Sequence, residues 1–212
     1  MKADPGSAAA REPVLERFKR RGALLEGHFQ LSSGLHSPVY FQSALLLQHP
    51  AEAEALAREL AERLRAALGR GFDPAEPPVV VAPALGGVVI AYELARQLGT
   101  RSVFAEREQG RMALRRGFRL EPGEAAIVCE DVITTGGSAR EVTDLIRAQG
   151  GSVLAVAALV HRGEGEVAPG VPFLALERLL APAHARESCP QCAAGVPLRK
   201  PGSRGTNAAL AR

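Results

Sequence analysis

The stretch AIVCEDVITTGGS, from Ala126 to Ser138, carries most of the information about the fold. Its first four residues are apolar or uncharged, which is typical of a strand buried within a sheet. Two carboxylates follow, Glu130 and Asp131, and the stretch closes with two threonines, one pair of glycines and a serine. Ser138 and Glu141 have the S-x-x-E spacing of a capping box, which predicts that a helix begins there.

The order of strand, acidic pair, hydroxyl-glycine loop and helix N-terminus suits a sugar phosphate. The unpaired N–H groups and partial positive charge of a helix N-terminus attract phosphate oxygens, and glycines let the backbone approach them closely. Hydroxyls can donate hydrogen bonds to the same oxygens, and carboxylates can accept hydrogen bonds from ribose hydroxyls. A plain strand-to-helix turn without a ligand is the alternative. It does not explain the two adjacent carboxylates, because unpaired charges are costly to bury. The loop lacks the lysine of a P-loop.

The nine residues from Glu130 to Ser138 resemble the phosphoribosyl diphosphate (PRPP) motif of type I phosphoribosyltransferases. The resemblance implies that the acidic pair binds the ribose hydroxyls and that the following loop holds the 5-phosphate. It also implies an α/β fold, with a central parallel sheet flanked by helices and a small N-terminal hood. The residues assigned to PRPP in this way are Glu130, Asp131, Val132, Ile133, Thr134, Thr135, Gly136, Gly137 and Ser138.

Length and composition fit one soluble α/β domain. The chain has 212 residues, of which 46% are apolar, so a substantial core is possible. We expect a disordered leader over 1–12, a single domain over 13–198 and a weakly ordered tail over 199–212. A net charge of +3 without a long basic run does not indicate nucleic-acid binding. Three cysteines, no signal-peptide pattern and no membrane-length apolar run favour the cytoplasm.

The stretch QLSSGLHSPVYFQ, residues 30–42, ends in a run that predicts a strand with Tyr40 and Phe41 side by side. Taken alone, it favours a hairpin whose aromatic side chains fill the core. The stretch also resembles the S-G-x-x-S-x-x-Y/F-F segment of orotate phosphoribosyltransferases, in which the aromatic pair lies beside the pyrimidine. The resemblance implies that Tyr40 and Phe41 stack on a flat, electron-poor ring.

Strands and helices alternate in the middle of the chain, which predicts a parallel sheet. Leucines recur every four residues over 50–68, which predicts a helix, and 79–82 is an apolar strand followed by Gly86 and Gly87. This glycine pair again offers N–H groups to an anion. In the family this loop receives the pyrophosphate, so the resemblance adds both glycines to the PRPP site. Many members carry a lysine where Gly86 stands.

Residues 102–118 predict two strands joined by a short turn at 109–111. In well-studied orotate phosphoribosyltransferases the corresponding region is a longer mobile loop with lysine and histidine, and it closes over the neighbouring subunit's active site. Arg107 lies nearest to a family lysine, and Arg111, Arg115 and Arg116 are further candidates. Simple exposure to solvent is an equally good interpretation for each of these except Arg107. Arginine can bind a diphosphate through two hydrogen bonds but cannot donate a proton at neutral pH.

Arg162 follows a predicted strand over 153–160, at the end where ligands bind parallel sheets. The family has an arginine here that pairs with the orotate carboxylate, and Arg162 matches it. An exposed arginine at a strand end is the alternative.

A C-x-x-C pair, Cys189 and Cys192, lies near the C-terminus and forms half of a zinc site. His184 is a candidate third ligand. The sequence has no second pair, and Cys129 lies in the strand before the acidic residues. Two reduced thiols in a turn are therefore the favoured interpretation, and no metal ligand among the protein side chains is predicted.

Over residues 14–200 the chain resembles an orotate phosphoribosyltransferase. The resemblance implies that the 5-phosphoribosyl group passes from PRPP to orotate, with Mg²⁺ held mainly by PRPP, in a homodimer with shared active sites. It implies catalytic roles for Glu130, Asp131 and Arg107 and orotate contacts from Tyr40, Phe41, Thr134 and Arg162. A phosphoribosyltransferase for a purine or another base, and a non-catalytic PRPP-sensing regulator, are the alternatives.

Overall fold

A computed structural model describes residues 12–31 and 33–201 of the chain. The leader predicted over 1–12 and the tail predicted over 199–212 fall almost entirely outside these residues. The strands are β1 Leu24–Gln30, β2 His36–Phe41, β3 Val79–Pro83, β4 Ser102–Glu108, β5 Arg111–Leu114, β6 Ala125–Ile133, β7 Ser152–His161 and β8 Phe173–Arg178. The helices are α1 Val14–Arg20, α2 Ser43–Leu47, α3 Pro50–Leu68, α4 Gly86–Leu98, α5 Gly137–Ala148 and α6 Pro190–Ala193, with 3₁₀ turns at Gly69–Gly71 and Arg186–Ser188.

Six strands form the central sheet, in the order β5-β4-β3-β6-β7-β8. Every neighbouring pair is parallel except β4 and β5, which form an antiparallel hairpin at one edge. The α/β class and the mainly parallel sheet are therefore confirmed. The strand β6, which carries the acidic pair, lies between β3 and β7, so the loops that follow three strands meet at one edge.

The core consists of two apolar layers, one on each face of this sheet. Alternate residues of β6 enter different layers, as the two-residue period of a strand requires. Ile127 and Cys129 pack with α3 and α4, whereas Ala126 and Val128 pack with α5. All four are fully buried. Strand β6 is therefore held from both faces, which fixes the position of the carboxylates at its end.

The strands β1 and β2 form a separate antiparallel hairpin that serves as the hood. The hairpin predicted as one interpretation of residues 30–42 exists, and its first strand begins well before that stretch. Strand β1 was not predicted because its sequence, LLEGHFQ, has a glycine within it and no clear alternation. The short helix α2 and the edge strand β8 were not predicted either.

The capping box predicted from Ser138 and Glu141 is wrong. Helix α5 begins at Gly137, and its N-cap is Gly136, with a φ angle of 75° and no side-chain cap hydrogen bond. Ser138 is thus inside the helix, where its hydroxyl is not needed as a cap, and Glu141 forms an ion pair with Arg107 instead.

Within the described residues, no helix is long and apolar enough to cross a membrane.

A cluster of ion pairs joins the short helix α1 to α3. The carboxylate of Glu52, which is 6% exposed, accepts hydrogen bonds from Arg21 at 2.8 and 3.0 Å and from Arg20 at 2.9 Å. Arg17 lies 3.4 Å away. Burial acts to raise the pKa of Glu52, but the arginines outweigh it and hold the pKa below its ordinary value of 4.5. A helix of seven residues gains little from its own hydrogen bonds, so such tertiary contacts must hold it.

We expect the substitution Glu52→Gln to lower the free energy of unfolding by about 2 kcal/mol, because it leaves partly buried arginines without their anion. A lowered carboxylate pKa contributes stability that is present above pH 4.5 and is lost as the pH falls through the folded-state pKa. The difference between the variant and the original chain should therefore shrink in acid. Urea unfolding at several pH values measures it. The control is Glu54→Gln, whose carboxylate is 41% exposed, and an equal loss there would contradict the prediction.

Candidate active site

The loops after β3, β6 and β7 meet at the C-terminal edge of the sheet. Ile133 pairs with His161, and the N–H of Arg162 donates to the Ile133 carbonyl at 2.9 Å. A side chain at Gly163 would overlap the carbonyl of Thr134. The segment that carries Arg162 is therefore pressed against the loop that follows the acidic pair.

The N-terminus of α4 lies directly against the acidic pair. A Cβ atom at Gly86 would lie 2.6 Å from Oδ1 of Asp131, and one at Gly87 would lie 2.8 Å from the carbonyl oxygen of Cys129. The peptide bond between Ala84 and Leu85, in the turn just before, is cis. Because the Asp131 carboxylate occupies the space over Gly86, a lysine at this position would have to displace that carboxylate.

The loop from Thr134 to Gly136 requires glycine at its end. Gly136 has a positive φ angle, and a Cβ atom there would lie 2.6 Å from the carbonyl oxygen of Val167. Thr135 is exposed, and Thr134 and Ser138 are partly exposed. The N-terminus of α5 therefore lies next to a loop with accessible hydroxyls. The first N–H groups of the helix have no acceptor inside it.

Glu130 and Asp131 share a poorly hydrated environment. Burial raises the pKa of Glu130 to about 8, with a further contribution from the charge of Asp131, while the N–H of Ala139 opposes the rise. Burial also raises the pKa of Asp131, against the N–H groups of Asp131 and Val132. Among the described residues, Oε1 of Glu130 is buried without a hydrogen-bond partner. Glu130 therefore holds its proton more tightly than an exposed glutamate does, and the pair offers a buried oxygen without a protein partner to a ligand.

Arg162 is buried rather than exposed, so the alternative of a solvated strand-end arginine is wrong. Its side chain reaches the hood, where Nη2 donates to Oγ of Ser37 at 2.6 Å and Nη1 donates to the carbonyl of Val39 at 3.1 Å. The guanidinium lies 5.9 Å from the ring centre of Phe41. Burial lowers the pKa of Arg162. A buried cation with few protein partners is a suitable site for a carboxylate.

The two adjacent aromatic residues have different surroundings, because neighbouring side chains of a strand point to opposite faces. Phe41 is 6% exposed and packs edge-on against Phe18, with ring centres 5.1 Å apart. Burial raises the pKa of Tyr40, as does the charge of Asp131, and Arg162 opposes the rise. Tyr40 thus lies near enough to Asp131 and Arg162 for both charges to act on its hydroxyl, and its ring packs against Phe29 with ring centres 5.8 Å apart. Stacking by Phe41 stays a prediction, and its burial favours a packing role.

Residues 102–118 form a short hairpin instead of a long loop, with Gln109 and Gly110 at its tip. Arg107 donates two hydrogen bonds to Glu141 in α5, each at 2.8 Å, and a third to the carbonyl of Gly110 at 2.7 Å. Arg116 pairs with Glu106, and Arg115 with Glu108. Arg107 therefore lies beside the first turns of α5, on the same chain as the loop from Thr134 to Gly136, and its part in catalysis stays a prediction.

The His184 side chain does not belong to the group of possible ligands around the C-x-x-C pair. The backbone of His184 pairs with His36 through two hydrogen bonds of 2.8 Å. The residues that gather around the two thiols are His28 and His36, both in the hood. His184, a candidate third ligand by its proximity in sequence, is therefore not among the side chains that gather there. No disulfide joins the three cysteines.

The comparisons with known proteins agree with this geometry. Residues 43–174 match the family model of the phosphoribosyl transferase domain. The orotate phosphoribosyltransferase of Carboxydothermus hydrogenoformans is 54% identical over 187 residues, which cover 88% of this chain and 95% of that protein. The chain belongs to the orotate phosphoribosyltransferase family. The member from Heliobacterium modesticaldum is 51% identical over 195 residues, which cover 92% of this chain and 99% of that protein.

Among solved structures, the orotate phosphoribosyltransferase from Aeropyrum pernix has a TM-score of 0.63 and 28% sequence identity. The similarity covers 78% of this chain and 93% of that one. The phosphoribosyltransferase fold predicted from Glu130–Ser138 is thereby confirmed.

One contact of this family member was missed from sequence. Ser37, which binds the guanidinium of Arg162, lies within the segment that resembles the family. Its position in S-G-x-x-S was the available signal, but only the topology shows that Arg162, 125 residues later, reaches it.

We expect Glu130→Gln to stabilise the chain more as the pH rises. A carboxylate whose folded-state pKa is raised from 4.5 to about 8 costs the folded state stability throughout that interval, since only the unfolded chain has lost its proton. The glutamine variant has no such cost. The difference in unfolding free energy should grow by about 1 kcal/mol per pH unit from pH 5 to 8 and level off above. Thermal unfolding across this range measures it, with Glu54→Gln as control. A difference that is independent of pH would refute the assignment.

Proposed function

We propose that the protein transfers the 5-phosphoribosyl group from PRPP to orotate, giving orotidine 5-phosphate and pyrophosphate. The observation that supports this proposal most is that an acidic pair with an unpartnered oxygen and a buried arginine both lie at strand ends along one edge of the sheet. Tyr40 lies within the electrostatic influence of Asp131 and Arg162. The acidic pair suits a ribose phosphate and the arginine suits an acidic ring. The names of the close relatives support the same reaction.

The ribose 5-phosphate would bind at the N-terminus of α5. The N–H groups there, with the hydroxyls of Thr134, Thr135 and Ser138, supply donors to the phosphate oxygens. Gly136 and Gly137 leave room for the backbone to approach. Glu130 and Asp131 accept hydrogen bonds from the ribose hydroxyls, and Val132 and Ile133 connect them to the loop. Binding a polyol at Glu130 would satisfy the buried oxygen that has no protein partner.

The base would bind between the hood and the end of β7. Arg162 carries five N–H donors, and the hydrogen bonds to Ser37 and Val39 use only part of them, so others remain for the carboxylate of orotate. Tyr40 and Thr134 would contact the ring, and Phe41 would support Arg162 from the core side. A purine lacks the carboxylate and would leave this buried cation unpaired. The orotate assignment therefore has a physical reason beyond the relatives' names.

The leaving pyrophosphate would lie against the loop of Gly86 and Gly87, with Arg107 as the nearest loop cation. The anomeric carbon becomes cationic as the bond to pyrophosphate breaks, so positioning and charge compensation supply most of the catalysis. The acidic pair fits a hard cation, because its oxygens are carboxylate oxygens and one has no partner. Magnesium bound together with PRPP would neutralise part of the leaving group's charge. To reach the pyrophosphate, Arg107 would have to break its ion pair with Glu141.

The test is to incubate the protein with PRPP, Mg²⁺ and orotate and to follow the loss of orotate absorbance. We expect turnover, and we expect Asp131→Asn to lower it by at least about 100-fold with little change in Tm, since Asp131 orients the reacting sugar. The matched control is Asp144→Asn, whose side chain is 76% exposed on α5. Turnover with a purine but not with orotate would overturn the choice of base. Equal losses of activity and stability in Asp131→Asn would make the acidic pair structural.

We also propose that the protein is a homodimer, as the family's shared sites imply. An exposed apolar stripe supports this proposal. Leu85, Val89 and Tyr92 are 71%, 45% and 64% exposed, and their spacing places them on one side of α4. The stripe begins next to the pyrophosphate loop of Gly86. Contact there between two copies would bring each active site close to its partner.

We expect Tyr92→Glu to convert the dimer into monomers, because it places a charge in an apolar contact. Sedimentation velocity at working concentration measures the change. The matched control is Leu180→Glu, since Leu180 is 67% exposed and lies outside the stripe. If the unsubstituted protein sediments as a monomer and is fully active, the homodimer is refuted. If Tyr92→Glu still sediments as a dimer, the contact between copies does not involve the α4 stripe.

A further inference from the structure

Four side chains that can bind a metal converge where the hood meets the C-terminal segment. They are His28 in β1, His36 in β2, and Cys189 and Cys192 at the start and within α6. Their ligand atoms all lie within 4.8 Å of one another. Both histidines and Cys189 are buried, and Cys192 is partly exposed. The proposed reaction uses none of these residues.

The spacing of the four atoms matches one tetrahedral ion. Zinc with Zn–N bonds of about 2.0 Å and Zn–S bonds of about 2.3 Å separates its ligand atoms by roughly 3.3 to 3.8 Å. Nε2 of His28 lies 3.0 Å from Nδ1 of His36 and 3.4 Å from Sγ of Cys189. Sγ of Cys192 lies 3.2 Å from Nδ1 of His36 and 3.7 Å from Nε2 of His28. All six separations lie within 4.8 Å, so shifts of up to about 1 Å would bring the four ligand atoms to bonding positions.

The orientation of His28 is an independent observation in favour of a metal. Its other nitrogen, Nδ1, lies 2.8 Å from the carbonyl oxygen of Val196. A carbonyl only accepts, so Nδ1 carries the hydrogen and Nε2 presents its lone pair to the other three groups. Histidines that bind metals typically donate their second N–H to a carbonyl or carboxylate in this way.

The donor set selects the ion. We propose that His28, His36, Cys189 and Cys192 bind one zinc ion in a closed structural site. Two thiolates and two imidazoles suit zinc, and four protein ligands leave no open position for catalysis. Each thiol releases its proton to solvent on binding, so two thiolates balance the charge of the ion and no net charge is buried.

Such a site would join segments that have few other connections. Helix α6 has only four residues and cannot be stable on its own. Backbone hydrogen bonds link His28 with Arg199 and His36 with His184, and Gln191 donates to the carbonyl of Gly27 at 2.9 Å. The ion would tie these contacts together and fix β2, whose later residues contact Arg162.

The test uses the full-length protein, purified without chelators after growth with zinc and under reducing conditions. Elemental analysis should find about one zinc per chain, falling below about 0.1 in Cys189→Ser and in His28→Ala. His184→Ala and Cys129→Ala are the matched controls, because they remove a neighbouring histidine and the remaining thiol from outside the cluster. Both should keep about one zinc per chain.

A second measurement serves if a cluster variant does not fold. Titrating the original chain with a mercurial thiol reagent should release one zinc ion, detected with a zinc-binding dye, as the two clustered thiols react. Less than about 0.1 zinc per chain after loading with excess zinc would overturn the proposal. Zinc retained in folded Cys189→Ser, or a Cys189–Cys192 disulfide in the zinc-loaded protein, would overturn it too. None of these outcomes depends on which base the enzyme uses.

Discussion

The parallel pairing of β6 with β3 on one side and β7 on the other is the constraint on which the site depends. Val128 pairs with Val81 and Val156 at once, and the strand's four apolar residues are buried from both faces. Burial of this kind contributes about 1.5 to 3 kcal/mol per large side chain, so the strand cannot shift without a large loss. The loops that follow the three strands consequently meet at one edge, whatever their own sequences are.

That rigidity explains how the chain keeps two carboxylates in an unfavourable place. Burial raises the pKa of both acids, and one oxygen of Glu130 lacks a partner within the described structure. Such a group lowers the free energy of unfolding. The buried apolar side chains of β6 offset this loss. Gly87 has a related role, since a side chain there would collide with the backbone of β6, and a side chain at Gly86 would displace the Asp131 carboxylate. A ligand that donates a hydrogen bond to the unpartnered oxygen would remove this unfavourable contribution.

Sequence patterns predicted those parts that depend on neighbours along the chain. The helix over 50–68 and the strand–loop–helix unit around Glu130 follow from periodicity and local composition, and the structure has both. The capping box failed because close packing of Gly136 against Val167 moves the helix start earlier, a tertiary effect with no local signal. The burial of Arg162 was also unpredictable, because its partner Ser37 lies in a hood that sequence alone does not orient.

The C-terminal thiols show the same limit at longer range. In sequence, a C-x-x-C pair without a second pair fits either half of a zinc site or two reduced thiols. His184 is a candidate third ligand only because it is near in the chain. In the folded chain Cys189 contacts His28 across 161 residues, and Cys192 contacts His36 across 156. His28 and His36, eight positions apart, meet at 3.0 Å because the strands β1 and β2 that carry them pair in a hairpin, with a register shift between Glu26 and Phe29. The same hairpin thus contacts Arg162 through Ser37 and Val39 and carries two of the four side chains proposed to bind zinc, so the ordering of the hood affects both.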